Sequence, residues 1–417
     1  MPGITYADFL DLDYEPVPSE LVCEFAVQPA PDVDLSAAAA RVASESSNGT
    51  WAELQAGSDI TDLSATACDI DEETGRVTVA YPEALFEPGN MAQVLSCIAG
   101  NIMGMKAVDR IRLLDADWPE GLTRSFPGPQ FGTSVRTAIF DAPDRPLLAT
   151  VPKPKVGLST EDHARIGYEA WTGGLDLLKD DENLTDQAFN PFEDRLATSL
   201  AERDRAEEET GDPKSYLLNV TAPGIEMLER VDTAAEHGCE YVMVDVVTAG
   251  WAAVQSVRER CEELGLAIHA HRAMHAAFDR LETHGVSMRV LAQVARLCGV
   301  DQIHTGTANL GKLENEDTVG INDWLTGACH GLRPVLPVAS GGLHPGLVPD
   351  LLAELGTSLV VQAGGGVHGH PDGTHAGARA LRRAVDAAVA GEDLAAAAAD
   401  SPALDTAIEQ WGTETPR

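Results

Sequence analysis

The sequence predicts an α/β protein in which a C-terminal (β/α)8 barrel follows a smaller α+β N-terminal domain. The first observation is an alternation, because short apolar segments and helical patterns follow one another over the last two thirds of the chain. The second is size, since eight β/α units in roughly 280 residues are typical of a closed barrel. The third is the segment 117–134, where proline and glycine interrupt the pattern. We therefore expect domains at 1–130 and 131–417.

In the first third of the chain, strands are predicted at 18–27 and 76–80, and helices at 34–44 and 91–99. Beyond the linker, the expected barrel strands are 148–153, 174–179, 215–221, 241–248, 266–271, 302–307, 335–340 and 358–363. Helical patterns separate them at 224–237, 251–264 and 287–298, and the alanine-rich run 393–399 predicts a surface helix. A doubly wound open sheet is the alternative, but no G-x-G-x-x-G follows the first strand.

The charge balance is the most unusual bulk property. The chain has 66 acidic and 29 basic residues, which gives a net charge of -37 and makes nucleic acid a poor partner. The acidic residues are spread through ordered-looking sequence, and their mutual repulsion is costly at low ionic strength. At molar salt the Debye length falls to about 3 Å, so the repulsion is screened. We expect a halophile's protein, with an acidic protein of a mesophile as the alternative.

The expected location is the cytoplasm. No apolar run reaches the about 18 residues that span a bilayer, and the acidic N-terminus does not have the pattern of a signal peptide. The seven cysteines form no C-x-x-C pair, so free buried thiols are expected.

Polar residues collect where the predicted barrel strands end, which is the catalytic face of this fold. Lys153 and Lys155 follow the first strand, and a solvated basic turn is the alternative to a functional pair. The run from Lys179 to Glu182 ends the second strand and could be a solvated charge run. Its oxygens suit Mg²⁺, and a lysine becomes a ligand once CO₂ converts it to a carbamate. Nearby carboxylates are expected to favour the ammonium form of Lys179.

Histidines and glycines mark the remaining strand ends. The set at 269, 271 and 275 and the set at 368, 370 and 375 could be zinc sites, but core or supporting histidines are the preferred interpretation. His271 is expected to bind an anion or to act as a base, because Arg272 adjoins it. The glycines at 341–342 and 364–366 allow backbone N–H groups to approach phosphate, with tight turns as the alternative. With Arg272 and His304, they indicate a bisphosphate ligand.

Several motifs, in order, resemble those of the ribulose-1,5-bisphosphate carboxylase/oxygenase (RuBisCO) large-subunit family. In the barrel they are KPKVGLS (153–159), GGLDLLKDDEN (173–183), HAHRAMHAAFDR (269–280), IHTGTANLGKL (303–313), VASGGLHPG (338–346) and QAGGGVHGHP (362–371). SESSNGTW (44–51) and AGNIMGMKA (99–107) resemble the family's segments that close over the substrate. The resemblance covers nearly the whole chain and is greatest to the archaeal form III, of haloarchaeal type.

The resemblance implies a role for each matched residue. Lys179 would be carbamylated, would ligate Mg²⁺ with Asp181 and Glu182, and would act as the enolising base. Lys153, helped by Lys155, would protonate the C2 carbanion, His271 would move protons at the C3 oxygen, and Lys312 on a mobile loop would hold CO₂. The substrate-binding residues implied by the same motifs are Glu45, Thr50, Trp51, Asn101, Arg272, His304, Ser340, Gly342, Gly364 and Gly365.

Among these residues, the resemblance places Glu45, Thr50, Trp51 and Asn101 in the barrel site of a neighbouring subunit. It therefore implies a homodimer or an assembly of dimers without a small subunit, and no membrane partner. The implied reaction converts ribulose 1,5-bisphosphate and CO₂ to two 3-phosphoglycerates, with O₂ as a competing substrate, in AMP salvage. The alternatives are a RuBisCO-like enolase or isomerase that fixes no CO₂ and a catalytically silent binding protein.

Overall fold

The computed structural model describes residues 5–49, 61–312 and 317–415. They fall into two compact units, the first of which comprises Met1–Pro127, Met274–Cys298 and Cys329–Leu332. The second comprises Gly128–Ala273, Gly299–Ala328 and Arg333–Arg417. The proposed domain boundary at residue 130 stays a prediction, because the first unit also takes in later segments of the chain.

The first unit contains a five-stranded mixed sheet of order β10-β4-β1-β3-β2, with strands and helices numbered along the chain. Its strands are β1 Leu21–Pro29, β2 Thr66–Asp71, β3 Arg76–Tyr81, β4 Val108–Asp117 and β10 Gly285–Val286. Its helices are α1 Leu35–Glu45, α2 Met91–Ile98, α3 Glu120–Arg124, α10 Ala276–Asp279 and α11 Met288–Cys298. Short 3₁₀ turns lie at Tyr6–Phe9, Thr61–Leu63, Glu83–Leu85 and Asn101–Gly104.

The second unit is a closed barrel of eight parallel strands in the order β11-β12-β13-β5-β6-β7-β8-β9. The strands are β5 Leu147–Thr150, β6 Leu177–Lys179, β7 Ser215–Asn219, β8 Tyr241–Asp245, β9 Ala267–His271, β11 Gln302–His304, β12 Leu336–Ser340 and β13 Val360–Gln362. The helices are α4 Val135–Ala138, α5 Thr160–Thr172, α6 Phe192–Thr210, α7 Ile225–Glu236, α8 Val246–Ala249, α9 Trp251–Leu264, α12 Thr318–Thr326, α13 Val348–Leu355, α14 Gly365–His368, α15 Thr374–Ala390, α16 Leu394–Ala399 and α17 Pro402–Trp411. Short 3₁₀ turns lie at Gly132–Ser134 and Pro345–Leu347.

The barrel strands are apolar because both of their faces are buried. Inside the barrel, Leu177, Leu217 and Met243 belong to one cluster of buried side chains. Outside it, Leu148 and Val361 pack in a second cluster that includes Leu381 of α15. The sequence prediction of an α/β protein with a C-terminal (β/α)8 barrel after an α+β domain is confirmed.

Most differences from the sequence prediction lie at element ends. All eight barrel strands are present, and five of them end earlier than predicted. For example, β5 ends at Thr150, and residues Val246–Ala249 after β8 form a helix. The predicted linker 117–134 contains the short helix α3. Helix α16 forms where a surface helix was expected, but Ala397 and Ala398 are buried, because alanine is small enough to pack closely against a neighbouring element.

Two bulk properties were also expected from the sequence. Within the described residues, no helix is long and apolar enough to cross a membrane. All seven cysteines are free thiols, and six of them are buried, whereas Cys97 is half-buried.

Candidate active site

Ionisable side chains gather at the C-terminal ends of the barrel strands, which we call the mouth. Lys179 ends β6, Asp245 ends β8, His271 ends β9 and Ser340 ends β12. These groups come together because all strands of the closed barrel are parallel, so their carboxyl ends meet on one face.

Lys179 lies at the centre of the mouth. Its side chain is fully buried, and its Nζ donates to the Asp180 carbonyl oxygen at 2.7 Å. The nearest carboxylate oxygen with which it pairs, Glu182 Oε2, is 3.8 Å away, which is beyond hydrogen-bond distance. Burial lowers the pKa of Lys179, and the carboxylates of Glu182, Asp245 and Asp181 oppose this without reversing it. The carboxylates thus act in the direction expected from the sequence, towards the ammonium form, but desolvation outweighs them.

The side chain of Asp180 lies below the mouth in a closed polar network. One oxygen accepts from Arg195 Nε at 3.2 Å and from Asn219 N at 3.0 Å, and the other accepts from the Tyr216 hydroxyl and lies 3.3 Å from His163 Nε2. Burial alone would raise the pKa of Asp180, but Arg195, His163 and Tyr216 together lower it to about 2. Asp180 thus fixes the loop that carries its two neighbours.

Asp181 and Glu182 are held less tightly. Asp181 Oδ2 lies 3.4 Å from Lys153 Nζ, while Oδ1 accepts from the backbone and side-chain amides of Asn183 at 3.1 and 3.0 Å. Glu182 is partly exposed, and its Oε2 lies 3.6 Å from His271 Nε2 as well as 3.8 Å from Lys179 Nζ. Both carboxylates retain lone pairs for a further ligand.

His271 is oriented by a carboxylate on the adjacent strand. Its Nδ1 lies 3.1 Å from Asp245 Oδ1, and the two residues are paired in the β8–β9 register. Asp245 N in turn donates to Thr221 Oγ1 at 3.0 Å. Burial lowers the pKa of His271 to about 4, although Asp245 acts in the opposite direction. The imidazole is therefore neutral near pH 7 and can accept a proton.

His304 is enclosed between two other polar side chains. Its Nε2 lies 2.9 Å from Nε2 of His269, and its Nδ1 lies 2.7 Å from Ser340 Oγ. Since both ring nitrogens have protein partners, a phosphate contact from His304 requires one of these hydrogen bonds to break. Burial lowers the pKa of His304 well below its usual range, and the nearby histidines add to the effect.

The glycines of the mouth lie against two of the predicted lysines. A Cβ on Gly342 would be 2.8 Å from Lys312 N, and a Cβ on Gly364 would be 3.0 Å from Lys153 Cε. A Cβ on Gly365 would meet no atom within 4 Å, so this backbone is open to a ligand. Lys312 N donates to Gly341 O at 2.9 Å, while its side chain is exposed.

The remaining predicted site residues do not all lie at the mouth. Lys155 is exposed beyond the end of β5 and Arg272 is buried in the barrel unit. Glu45 and Asn101 belong to the other unit, where Asn101 Nδ2 donates to Glu45 Oε1 at 3.3 Å. The predicted residues Thr50 and Trp51 lie outside the described residues.

The donor chemistry of the mouth fits a hard divalent cation. In the described part of the chain, no three His, Cys, Asp or Glu side chains form a group that could hold a metal. Asp181 and Glu182 supply oxygens, which Mg²⁺ prefers, but two carboxylates do not make a set of three. Lys179 can supply further oxygens only as a carbamate. Its buried amine, with a lowered pKa and no carboxylate in hydrogen-bond reach, fits that modification.

Sequence reasoning did not single out Asp245, and it placed Asp180 only within the charge run from Lys179 to Glu182, whereas His269 was expected to be a core or supporting histidine. Asp245 could have been found from the alignment of strand ends, because it closes β8 as His271 closes β9. His269 points to the same pattern, two residues before His271 on the same side of a strand. The partners of Asp180 lie 15 or more residues away in the chain, and no local pattern reveals them.

Comparison with known proteins agrees with this geometry over nearly the whole chain. Residues 132–411 match the family model of the ribulose bisphosphate carboxylase large chain catalytic domain, and residues 8–122 match that of its N-terminal domain. A ribulose bisphosphate carboxylase of Pyrococcus abyssi is 51% identical over 99% of this chain and 98% of its own length. The corresponding protein of Methanosarcina mazei is 44% identical over 97% of this chain and 99% of its own.

Solved structures show the same similarity. Octameric RuBisCO from Pyrococcus horikoshii, in complex with sulfate, has a TM-score of 0.95 at 50% identity and covers 98% of this chain and 97% of its own. Dimeric archaeal RuBisCO from Hyperthermus butylicus has a TM-score of 0.92 at 43% identity, and the match covers 98% of this chain and 99% of that protein's chain. The chain belongs to the RuBisCO large-chain family, whose archaeal members named here are carboxylases.

Proposed function

We propose that this protein is a Mg²⁺-dependent ribulose-1,5-bisphosphate carboxylase/oxygenase that converts the bisphosphate and CO₂ to two molecules of 3-phosphoglycerate. The observation that carries the proposal is the cluster of charged groups at the mouth. Lys153 Nζ lies 3.4 Å from Asp181, and Glu182 lies 3.8 Å from Lys179 Nζ and 3.6 Å from His271. Family membership supports the same reaction.

We assign the metal to Asp181, Glu182 and a carbamate on Lys179. When bound, Mg²⁺ supplies a Lewis acid that polarises the substrate's carbonyl and hydroxyl oxygens. The chain's own contribution is to keep the Lys179 amine out of water and to hold Asp181 in place through the buried Asp180 network. Both effects reduce the reorganisation needed when the ligands assemble.

The other side chains are proposed to move protons and to hold charge. Lys153, a cation beside Asp181, donates a proton to the C2 carbanion at the end of turnover, with Lys155 assisting. Neutral His271, oriented by Asp245, accepts and returns the proton at the C3 oxygen. Lys312 holds the incoming CO₂ and stabilises the carboxylate that develops from it.

We place the two phosphates at opposite sides of the mouth. Backbone N–H groups of Gly342, Gly364 and Gly365, together with Thr50 and Trp51 of a neighbouring chain, bind one phosphate, while Arg272 and His304 bind the other. Ser340 contacts a substrate hydroxyl. The open backbone at Gly365 and the buried cation of Arg272 support this arrangement.

We further propose that the active protein is a homodimer or an assembly of dimers without a small subunit, in which Glu45 and Asn101 serve the site of a neighbouring chain. The similar archaeal structures are dimeric and octameric. Its archaeal relatives are named ribulose bisphosphate carboxylase, and we propose in addition that this chain is of form III and acts in salvage of AMP-derived ribose bisphosphate.

The decisive assay supplies labelled CO₂ and ribulose 1,5-bisphosphate and measures labelled 3-phosphoglycerate. Preincubation with CO₂ and Mg²⁺ together should activate the enzyme more than either alone, and more at mildly alkaline pH, where more of the Lys179 amine is neutral. Lys179→Arg keeps a cation but forms no carbamate ligand, so it should be inactive in every condition. A parent that enolises the substrate without incorporating label would instead identify a RuBisCO-like enolase, and an active Lys179→Arg variant would refute the metal site.

The haloarchaeal assignment has a separate test based on the net charge of -37. Raising KCl from roughly 50 mM towards molar concentration shortens the Debye length from about 14 Å to about 3 Å and should screen the repulsion. We expect the melting temperature and the carboxylation rate to rise together. Full activity and an unchanged melting curve at low salt would contradict the assignment.

A further inference from the structure

One residue of the second predicted histidine set, His368, connects the ends of two barrel strands. Strands β5 and β13 are paired in parallel, and Ala363 N donates to Ala149 O at 3.0 Å where the pairing ends. Side chains continue the connection beyond this point. The Thr150 hydroxyl donates to Ala363 O at 2.7 Å and lies 2.8 Å from His368 Nε2. On its other side, His368 Nδ1 lies 3.0 Å from Thr374 Oγ1 at the start of α15.

A single arrangement of hydrogens satisfies all of these contacts. The carbonyl oxygen of Ala363 can only accept, so Thr150 uses its one hydroxyl hydrogen there. His368 Nε2 must then donate to Thr150, and His368 Nδ1 accepts from the Thr374 hydroxyl. The ring is neutral near pH 7, because burial and the Lys153 cation lower the pKa of His368 to about 4. A neutral imidazole has one donor and one acceptor nitrogen, as these two hydroxyls require.

Each end of this connection lies next to a group of the proposed catalytic site. Thr150 ends β5, three residues before Lys153. Ala363 directly precedes Gly364, and His368 N donates to the Gly364 carbonyl oxygen at 3.0 Å. A Cβ on Gly364 would be 3.0 Å from Lys153 Cε, so the lysine side chain lies against the turn after β13. A shift between the two strand ends therefore moves the ammonium relative to the turn that is proposed to bind phosphate.

We propose that His368 is a positioning residue that, through Thr150, holds Lys153 where it can protonate the C2 carbanion. The inference rests on the proposed function, which gives Lys153 this step. The Lys153 ammonium lies 3.4 Å from Asp181 Oδ2, which is long for an ion pair, so the backbone that carries the lysine must supply the precision. A displacement of about 1 Å can cost on the order of a hundredfold in such a step.

Failure of this protonation has a chemical signature. The C2 carbanion carries a phosphate on C1. Without a proton, its electron pair forms a double bond between C1 and C2, the bond from C1 to oxygen breaks, and inorganic phosphate leaves with the bonding pair. The remaining enol becomes pyruvate by gaining a proton on C1 and losing one from its hydroxyl. Lost folding lowers the yields of pyruvate and 3-phosphoglycerate alike, whereas a misplaced Lys153 raises the share of pyruvate.

His368→Leu removes both ring hydrogen bonds at similar volume. With labelled CO₂, we expect the share of pyruvate among labelled products to rise at least about threefold. The value of kcat/KM for ribulose bisphosphate should fall roughly two- to tenfold, as for one lost hydrogen bond. Thr150→Val should have the same effects, and in that background His368→Leu should add less than about twofold. An unchanged pyruvate share in His368→Leu would overturn the proposal.

Two further variants separate positioning from a structural role. His368→Gln places an amide donor near the position of Nε2 and should restore most of the parent's product ratio. His370→Leu removes a buried histidine of the same segment, whose Nε2 instead lies 2.9 Å from Ala403 O. It should lower the melting temperature without raising the share of pyruvate. A rise equal to that of His368→Leu would show that any damage to this segment has the same effect and would refute the proposal.

Crystal structures of the parent and of His368→Leu, both without substrate, test the connection without turnover. We expect the Lys153 ammonium to move by about 1 Å or more relative to Gly364. An ammonium that stays in place would overturn the inference. Because this measurement needs no catalysis, its failure is distinguishable from an absence of labelled 3-phosphoglycerate in the parent, which would refute the proposed function.

Discussion

The charged groups at the two ends of the barrel are paired differently. At the floor, where the strands begin, Arg145 Nη1 and Nη2 each lie 2.7 Å from an Asp176 oxygen, and Asp301 accepts three backbone N–H groups at 2.6 to 2.8 Å. At the mouth, Asp181 and Glu182 pair with Lys153, Lys179 and His271 at 3.4 to 3.8 Å. The floor carboxylates are held by short hydrogen bonds, whereas Asp181 and Glu182 at the mouth make longer contacts that a ligand can replace.

This difference predicts a large loss of activity at the mouth. Glu182→Gln should lower carboxylation at least about a hundredfold, because it removes a proposed metal ligand. The free energy of unfolding should barely change, since Glu182 is partly exposed and its ion pairs are long. Radiometric carboxylation and urea unfolding on the same preparation measure both. A variant that loses stability but keeps its turnover would reverse the comparison.

The complementary change at the floor should act on stability. Asp176→Asn leaves the Arg145 guanidinium in a largely buried position without its counter-charge, so we expect a loss of about 3 kcal/mol in unfolding free energy. The rate per folded molecule should stay near that of the parent. Asp212→Asn, at an exposed carboxylate, is the matched control and should change stability by less than about 0.5 kcal/mol. Equal effects of the two substitutions would show that the floor pair is not special.

The buried histidines add a smaller, pH-dependent effect. The pKa of His269 is lowered in the fold to about 3, so its contribution to stability is complete above about pH 6.5 and is lost as the pH falls towards 3. The expected slope is on the order of 1.4 kcal/mol per pH unit in that window. His269→Gln should flatten this part of the stability profile, whereas His237→Gln, at an exposed histidine, should not. A profile that keeps its slope in His269→Gln would contradict this origin of acid sensitivity.

The strand count, the barrel and the groups brought together at the mouth could be predicted because they follow from periodicity and from strand ends. The eight apolar segments alternate with helical patterns, and parallel pairing places their polar ends on one face. Lys153, Lys179, Asp181, Glu182 and His271 are therefore neighbours in space, although their catalytic roles stay predictions. Strands β5 and β8 were predicted to end too late because Val151 and Val246 continue the apolar pattern after the backbone has left the sheet.

The sequence did not show how deeply the charged side chains are buried or which distant residues bind them. The pKa of Lys179 is lowered because its side chain is completely buried. A run of charged residues in the sequence does not show whether a side chain is buried. The partners of Asp180 come from three other segments of the barrel unit. Likewise, the hydrogen bonds of the buried His269 and His304 form only after strands β9, β11 and β12 are adjacent.

The contact between Gly342 and Lys312 couples two loops that sequence comparison would treat as separate. Gly342 has a φ of 87°, and any Cβ there would lie 2.8 Å from Lys312 N. A side chain at position 342 therefore requires the loop that carries Lys312 to move as well. Libraries that vary the loop after β11 in order to alter gas selectivity should therefore include the turn after β12. Accepted changes in the two segments are expected to occur in pairs, and exchanging one loop between relatives without the other should fail more often than exchanging both.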